Sequence, residues 1–232
     1  MGQTVPVTVI IPTFERPDYL VRILDALAHG TVNPLEVIVV DSSADPSTAY
    51  RIADLEGLPF SLLYLKRPPT GFVVASSRNY ALKLVKGDIV LGIQDATLPC
   101  LALVDEHYKL QSSAEGCAGL FVIGYVRNNE FDPDSDDRHT SWDASKPWAR
   151  AWGRNFSVRY DVARKVTWDE SFDGAYGFED VDFAYRIFQM GVPFVVSKEA
   201  YCIQLSRKHT APGQIDQGLQ LWKFANKHGV LP

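Results

Sequence analysis

The sequence predicts an α/β fold in which a mostly parallel sheet is flanked by helices within a single domain. Three observations predict it. Short β-branched runs alternate with stretches of helical periodicity, the order of successive strand and crossover helix units. Those runs lack the apolar-polar alternation of a sheet with one wet face, so the strands are expected to be covered on both sides. The 232 residues are 46% hydrophobic, enough for one well-buried core.

Val7–Ile11 is the first strand, closed by Pro12, and Asp18–His29 the first helix, with Leu20, Ile23, Leu24 and Leu27 on one face. Glu36–Val40 and Asp45–Ala53 form a second strand and helix, Ser61–Leu65 and Val73–Val85 a third. A fourth strand, Asp88–Ile93, precedes a helix expected from Pro99 to Gln111, where proline suits the first turn. A strand around Gly119–Val126 leads into the polar, acidic stretch Asn128–Trp148, expected to be a flexible loop. The remainder offers a strand at Asn155–Arg159, a helix at Glu179–Met190 ended by Gly191, a strand near Phe194–Ser197 and a terminal helix from about Gln214.

Composition removes several function classes. With 23 basic against 28 acidic residues the formal charge is −5, so binding to duplex nucleic acid, which needs dense phosphate neutralisation, is disfavoured. The longest apolar runs, such as Val7–Ile11 and Phe121–Val126, fall far below the ~20 residues that span a bilayer. No transmembrane segment and no secretory leader are expected. Cys100, Cys117 and Cys202 are far apart and form no C-x-x-C pair, which implies neither a disulfide framework nor a zinc site and fits a reducing, cytoplasmic compartment. Asp132, Asp134 and Asp136 alternate like the opening of a calcium loop, but Asp137 replaces the turn glycine and Asp143 the bidentate glutamate. Asn155-Phe156-Ser157 matches a glycosylation sequon, read as a strand start in the absence of a leader.

Ligands of open parallel sheets bind beyond the carboxyl ends of the strands. The residues there are Pro12-Thr13-Phe14-Glu15-Arg16, Asp41-Ser42-Ser43 and Gln94-Asp95-Ala96. An ionised Asp41 can accept hydrogen bonds from a nucleobase imide or a ribose hydroxyl, or simply cap the next turn. A second group heads the late helix: Glu179 and Asp180 precede Val181, Ala184, Ile187 and Phe188, an apolar stripe that turns the carboxylates toward solvent or a cleft. They are either N-terminal caps or catalytic groups. Asp182 and Arg186 stand i, i+4 and read as a surface ion pair.

VTVIIPTFERPDYL, EVIVVDSS, ASSRNYAL followed by GDIVLGIQDATLP, and GFEDVDFAYRI occur in an order and spacing that resembles the family 2 glycosyltransferases of GT-A fold, a Rossmann-like architecture. The resemblance runs from about Val7 to Ile187. It implies inverting transfer of a sugar from a nucleotide diphosphate sugar, with UDP the guessed nucleotide, to an acceptor hydroxyl. Residues 1–98 would then be the nucleotide-binding half and 99–232 the acceptor side, with loop 128–148 within it. By the same resemblance Pro12, Thr13, Glu15, Asp41, Arg78 and Asp95 would contact the nucleotide. Asp180 would be the catalytic base, and Glu179 would orient the acceptor beside Trp152. Arg78 also suits a structural ion pair, and Trp142, Trp148 and Trp152 suit core or lid packing as well as acceptor contact.

The chain departs from the family at the expected Mg2+ or Mn2+ site. The usual Asp-x-Asp run reads Gln94-Asp95-Ala96, and Gln204 stands where a metal-binding His is often found. Asp95 and His209 are the remaining ligand candidates, and metal dependence is expected to be weakened. Arg207 and Lys208 could supply charge to the diphosphate instead. The alternative function is a nucleotide-sugar-binding or scaffold protein that has lost turnover.

Overall fold

The computed structural model describes residues 2–68, 73–114, 119–128, 143–205 and 217–232. The first half repeats one unit three times: β1 (Thr4–Thr13) and α1 (Pro17–Ala28), β2 (Asn33–Asp41) and α2 (Ser47–Ala53), β3 (Ser61–Lys66) and α3 (Val74–Leu82), before β4 (Ile89–Ile93). The second half holds β5 (Thr97–Pro99), α4 (Leu103–Ser113), β6 (Phe121–Arg127), β7 (Asn155–Arg159), α5 (Tyr160–Val166), α6 (Glu179–Gln189), β8 (Phe194–Gln204) and α7 (Gln217–His228). All eight strands join one sheet in the order β3-β2-β1-β4-β7-β6-β8-β5.

The sheet is parallel from β3 to β4 and mixed beyond. β1 pairs with β2 and β4, and β2 with β3, all in parallel. β7 runs antiparallel to both β4 and β6, β8 runs parallel to β6, and β5 runs antiparallel to β8. β1 is flanked by β2 on one side and β4 on the other, so the strand order reverses there and a crevice opens at the carboxyl ends.

The missing alternation in the sequence has a direct cause. Ile10, Ile38, Val40 and Val90 enter a core on one face of the sheet, and Val9, Ile11, Val37, Val39 and Leu91 a core on the other. Successive side chains point to opposite faces and both faces are covered. α1 seals the second core with Leu20, Ile23, Leu24 and Leu27, all buried.

Several expectations change. Pro99 lies in β5, and α4 starts at Leu103; the Thr97–Pro99 backbone finds partners in Cys202–Gln204, a pairing no local pattern announces. β8 runs to Gln204 because its register shifts opposite Gly124 and Tyr125 and it continues along β6. Helix α5 was not foreseen. Of the 128–148 stretch, residues 129–142 lie outside the described residues, as do Trp142, the acidic triplet, Cys117, Arg207, Lys208 and His209. Trp148 is a core residue, packed on Tyr185 and Phe224, where its large apolar area favours burial over contact with an acceptor. Among the described residues no helix is long and apolar enough to cross a membrane.

Candidate active site

At the rim of the parallel half, the loop after β1 folds back onto the turn after β4. Asp95 accepts hydrogen bonds from Thr13 Oγ1 (3.1 Å) and the Phe14 amide (3.1 Å) at one oxygen and from Arg16 Nη1 (2.8 Å) at the other. Burial pushes the Asp95 carboxyl up, against the pull of Arg16 and the hydrogen bonds. Pro12 is half-buried at the end of β1. Glu15 is exposed in a left-handed conformation (φ 53°), with its amide donating to Ser43 Oγ (2.6 Å). The loops after β1 and β2 are thereby joined.

Asp41 is 0% exposed. Its carboxylate accepts from the Ser43 amide (2.8 Å), Tyr64 Oη (2.6 Å) and Lys66 Nζ (3.0 Å). Burial opposes its ionisation, but these donors outweigh it and leave the carboxyl below its ordinary range. The Ser43 contact is the local turn cap that the sequence allowed; Tyr64 and Lys66 arrive from β3, the neighbouring strand.

The second group sits at the head of α6. Gly177 (φ 95°) and Phe178 (φ 71°) are both left-handed, a conformation that costs a non-glycine residue roughly 1–2 kcal/mol. The turn they make sends Glu179 inward and leaves Asp180 half-buried. Glu179 is 5% exposed and lies 3.5 Å from Arg78 Nη1. Burial, then the neighbouring Asp180, raise its pKa, and Arg78 compensates only in part. Arg78 is itself 1% exposed, with its guanidinium within about 6 Å of the Phe156 and Trp168 rings and bonded to the Gly153 carbonyl (2.7 Å). It lies beneath the site, on Glu179, rather than at the rim.

One peptide segment joins the two groups. The Gly153 amide donates to Asp180 Oδ2 (2.5 Å), while the following carbonyl, of Arg154, accepts from the Gln94 amide (3.3 Å) and Thr97 Oγ1 (3.4 Å). Gly153 is required there, because a Cβ would strike the Arg78 guanidinium. The head of α6 and the turn carrying Asp95 are therefore held one residue apart along the chain. Around them stand half-buried Trp152, with the Arg154 guanidinium 5.0 Å above its ring, and Tyr176, whose hydroxyl feels Asp180, Glu179, Arg154 and Arg16.

Among the described residues the donor set at this turn does not fit a divalent cation. Ala96 has no ligand to offer, and its carbonyl accepts from Gln204 Nε2 (3.1 Å) and the Leu205 amide (2.8 Å). Gln204 Oε1 accepts from Arg154 Nη1 (3.4 Å). Asp95 is the lone carboxylate of the turn and is engaged by Arg16. Among the described residues no three His, Cys, Asp or Glu side chains converge, whereas hard cations take several oxygen ligands.

Residues 8–96 match the family model described as glycosyl transferase family 2. The validoxylamine A glucosyltransferase of Streptomyces hygroscopicus subsp. limoneus is 26% identical over 263 aligned residues, covering 97% of this chain. Over residues 8–96 the chain is similar to the family 2 glycosyltransferases. It spans 57% of that relative's length. The fold is that of GT-A glycosyltransferases, with a TM-score of 0.69 to the mannosyltransferase PcManGT from Pyrobaculum calidifontis in complex with GDP-Man and Mn2+, at 19% identity over 100% of this chain and 68% of that one. S. aureus TarS 1-349 in complex with UDP-GlcNAc gives a TM-score of 0.74 at 14% identity, over 98% of this chain and 66% of that one.

The structure brings Thr13, Asp95, Asp180 and Trp152 around one junction, and places Asp41, Arg78 and Glu179 in buried networks beside or below it. Sequence reasoning missed Arg154, Gly153, Tyr64 and Lys66. Lys66 had a legible signal, as a cation ending a strand next to the one that ends in Asp41. Arg154 had none, because it depends on β7 lying against β4.

Proposed function

We propose that the chain transfers a sugar from a nucleotide diphosphate sugar to an acceptor hydroxyl with inversion. The single observation supporting this most is the Gly153 link, which ties the carboxylate heading α6 to the rim where Thr13 and Asp95 meet. In this reading the first half, with Pro12, Thr13, Glu15 and Asp41, holds the nucleotide, and the second half shapes the acceptor site beside Trp152. Asp180 takes the proton of the acceptor hydroxyl as its oxygen bonds to the anomeric carbon from the far side. The bond from that carbon to the phosphate oxygen breaks, and its electron pair leaves with the nucleoside diphosphate. Base assistance of this kind is worth roughly 10²–10⁴-fold in rate.

Glu179, kept largely neutral by burial, fixes the entry to α6 through Arg78 and so aims Asp180. UDP is the proposed nucleotide, by likeness to the UDP-GlcNAc complex of TarS, with GDP the competitor by likeness to the GDP-Man complex of PcManGT. A reducing, cytoplasmic setting belongs to the same reading and is supported by cysteines that form no C-x-x-C pair.

Incubation with a panel of UDP- and GDP-sugars, with and without EDTA, is expected to give transfer or slow donor hydrolysis that Asp180→Asn abolishes. NMR of the product's anomeric centre tests inversion. Donor binding without turnover in any condition would instead support a nucleotide-sugar-binding scaffold.

A further inference from the structure

We propose that Arg154, seconded by Arg16, supplies the positive charge that a divalent cation would bring to the donor diphosphate, so that the nucleotide is held and released without a metal. The inference rests on the proposed transfer reaction. Its first support is the state of the two positions where a metal ligand is lacking. Ala96 and Gln204 are bonded to each other through the Gln204 amide and the Ala96 carbonyl, and Gln204 turns its remaining oxygen to the Arg154 guanidinium. A cation of the protein's own thus stands at the place the ligands vacate.

The second support is how firmly that cation is placed. The Arg154 carbonyl is fixed by Gln94 and Thr97, on either side of the Asp95 turn, and its guanidinium stacks over Trp152 at 5.0 Å. The preceding residue holds Asp180 by its backbone amide. Cation and base therefore keep a fixed separation while one handles the departing phosphate and the other the arriving hydroxyl. Stabilisation of charge that builds in the transition state depends on such prior placement.

The third support is charge. Arg16 already engages Asp95 at 2.8 Å, so a metal entering there would compete with a guanidinium for one carboxylate. The planar forks of the two guanidiniums match the oxygens of an incoming diphosphate.

The test compares binding of UDP with uridine, and GDP with guanosine, by titration calorimetry in EDTA and in Mn2+, for the unaltered protein, Arg154→Ala and Arg154→Lys, each checked for an unchanged melting transition. The unaltered protein is expected to bind one nucleoside diphosphate equally in EDTA and Mn2+. Arg154→Ala should weaken that nucleotide ~10–100-fold and leave the matching nucleoside unchanged, with Arg154→Lys between. Turnover in EDTA should fall ~10²–10³-fold in Arg154→Ala.

Binding that needs Mn2+, or an Arg154→Ala protein that loses nucleoside and nucleotide equally, would overturn the inference while leaving the transfer reaction standing. An Arg154→Ala protein too unstable to compare leaves the decision to Arg154→Lys, which must weaken the diphosphate selectively. An unaltered protein that binds neither nucleosides nor nucleotides in either condition would remove the transfer reaction and the inference together.

Discussion

Asp41 at the end of β2 and Glu179 at the head of α6 are both almost wholly removed from water, yet they are held in opposite ways. Asp41 has donors on both oxygens, from Ser43, Tyr64 and Lys66, and its carboxyl stays below the usual range. Glu179 has one cation at 3.5 Å, an acidic neighbour, and a second oxygen without a hydrogen bond, and its carboxyl is pushed up. Burial is common to the two. The number of donors that reach the oxygens decides which one carries charge near neutral pH.

The largest expected effect comes from removing the cation beneath Glu179. Arg78→Ala should cost about 2–5 kcal/mol in urea unfolding, because it opens a cavity beside Phe156 and Trp168 and leaves the Glu179 carboxyl and the Gly153 carbonyl without a partner, whereas Arg78→Met combined with Glu179→Leu should recover most of the loss. Next, Asp41→Asn should cost about 1.5–3 kcal/mol near neutral pH, by weakening charged hydrogen bonds. Glu179→Gln should cost less than about 1 kcal/mol, since a neutral carboxyl already resembles an amide. Equal costs for these two amide variants would break the comparison.

Gly153→Ala should cost about 1–3 kcal/mol through overpacking against Arg78, and should lower turnover more than it lowers nucleotide affinity. Kinetics and calorimetry on the same variant check that split.

The smallest effect is a difference in pH slope. Asp41 titrates lower in the fold than in the unfolded chain, so its stabilisation is complete above about pH 3.9 and is lost as pH falls through the folded value. Glu179 titrates higher in the fold. Its contribution is complete below about pH 4.3 and is lost as pH rises toward the folded value. Denaturant midpoints measured from mildly acidic to alkaline pH should therefore slope less in Glu179→Gln than in the unaltered protein, and Asp41→Asn should flatten the strongly acidic limb instead.

The parallel half was legible because its information is local. The runs Val7–Ile11 and Glu36–Val40 contain the β-branched residues that fill both cores, and the α1 stripe can be counted along the chain. The other half depends on encounters between distant segments. β5 exists only because Cys202–Gln204 comes to Thr97–Pro99. The α6 stripe differs at two phenylalanines: Phe183 is buried, stacked 4.0 Å from Trp168, and Phe188 is exposed. Asp182–Arg186 looked like an ordinary surface pair, yet Asp182 is fully buried and also receives Lys227 (2.6 Å) and His228 (2.7 Å) from α7. The Asp95 and Asp180 neighbourhoods could be named from sequence; that Gly153 joins them could not, since that contact is made by a backbone amide.

The grip of α7 on Asp182 carries a consequence for how the protein tolerates change in that helix. Lys227 and His228 close over a side chain only two positions from Asp180, while Lys227 also reaches Asp169 and Gln220 reaches the Phe172 carbonyl. Clipping the last helical turn would leave Asp182 with Arg186 alone and slacken the helix that aims the proposed proton acceptor. Damage in α7 would then register as lost chemistry.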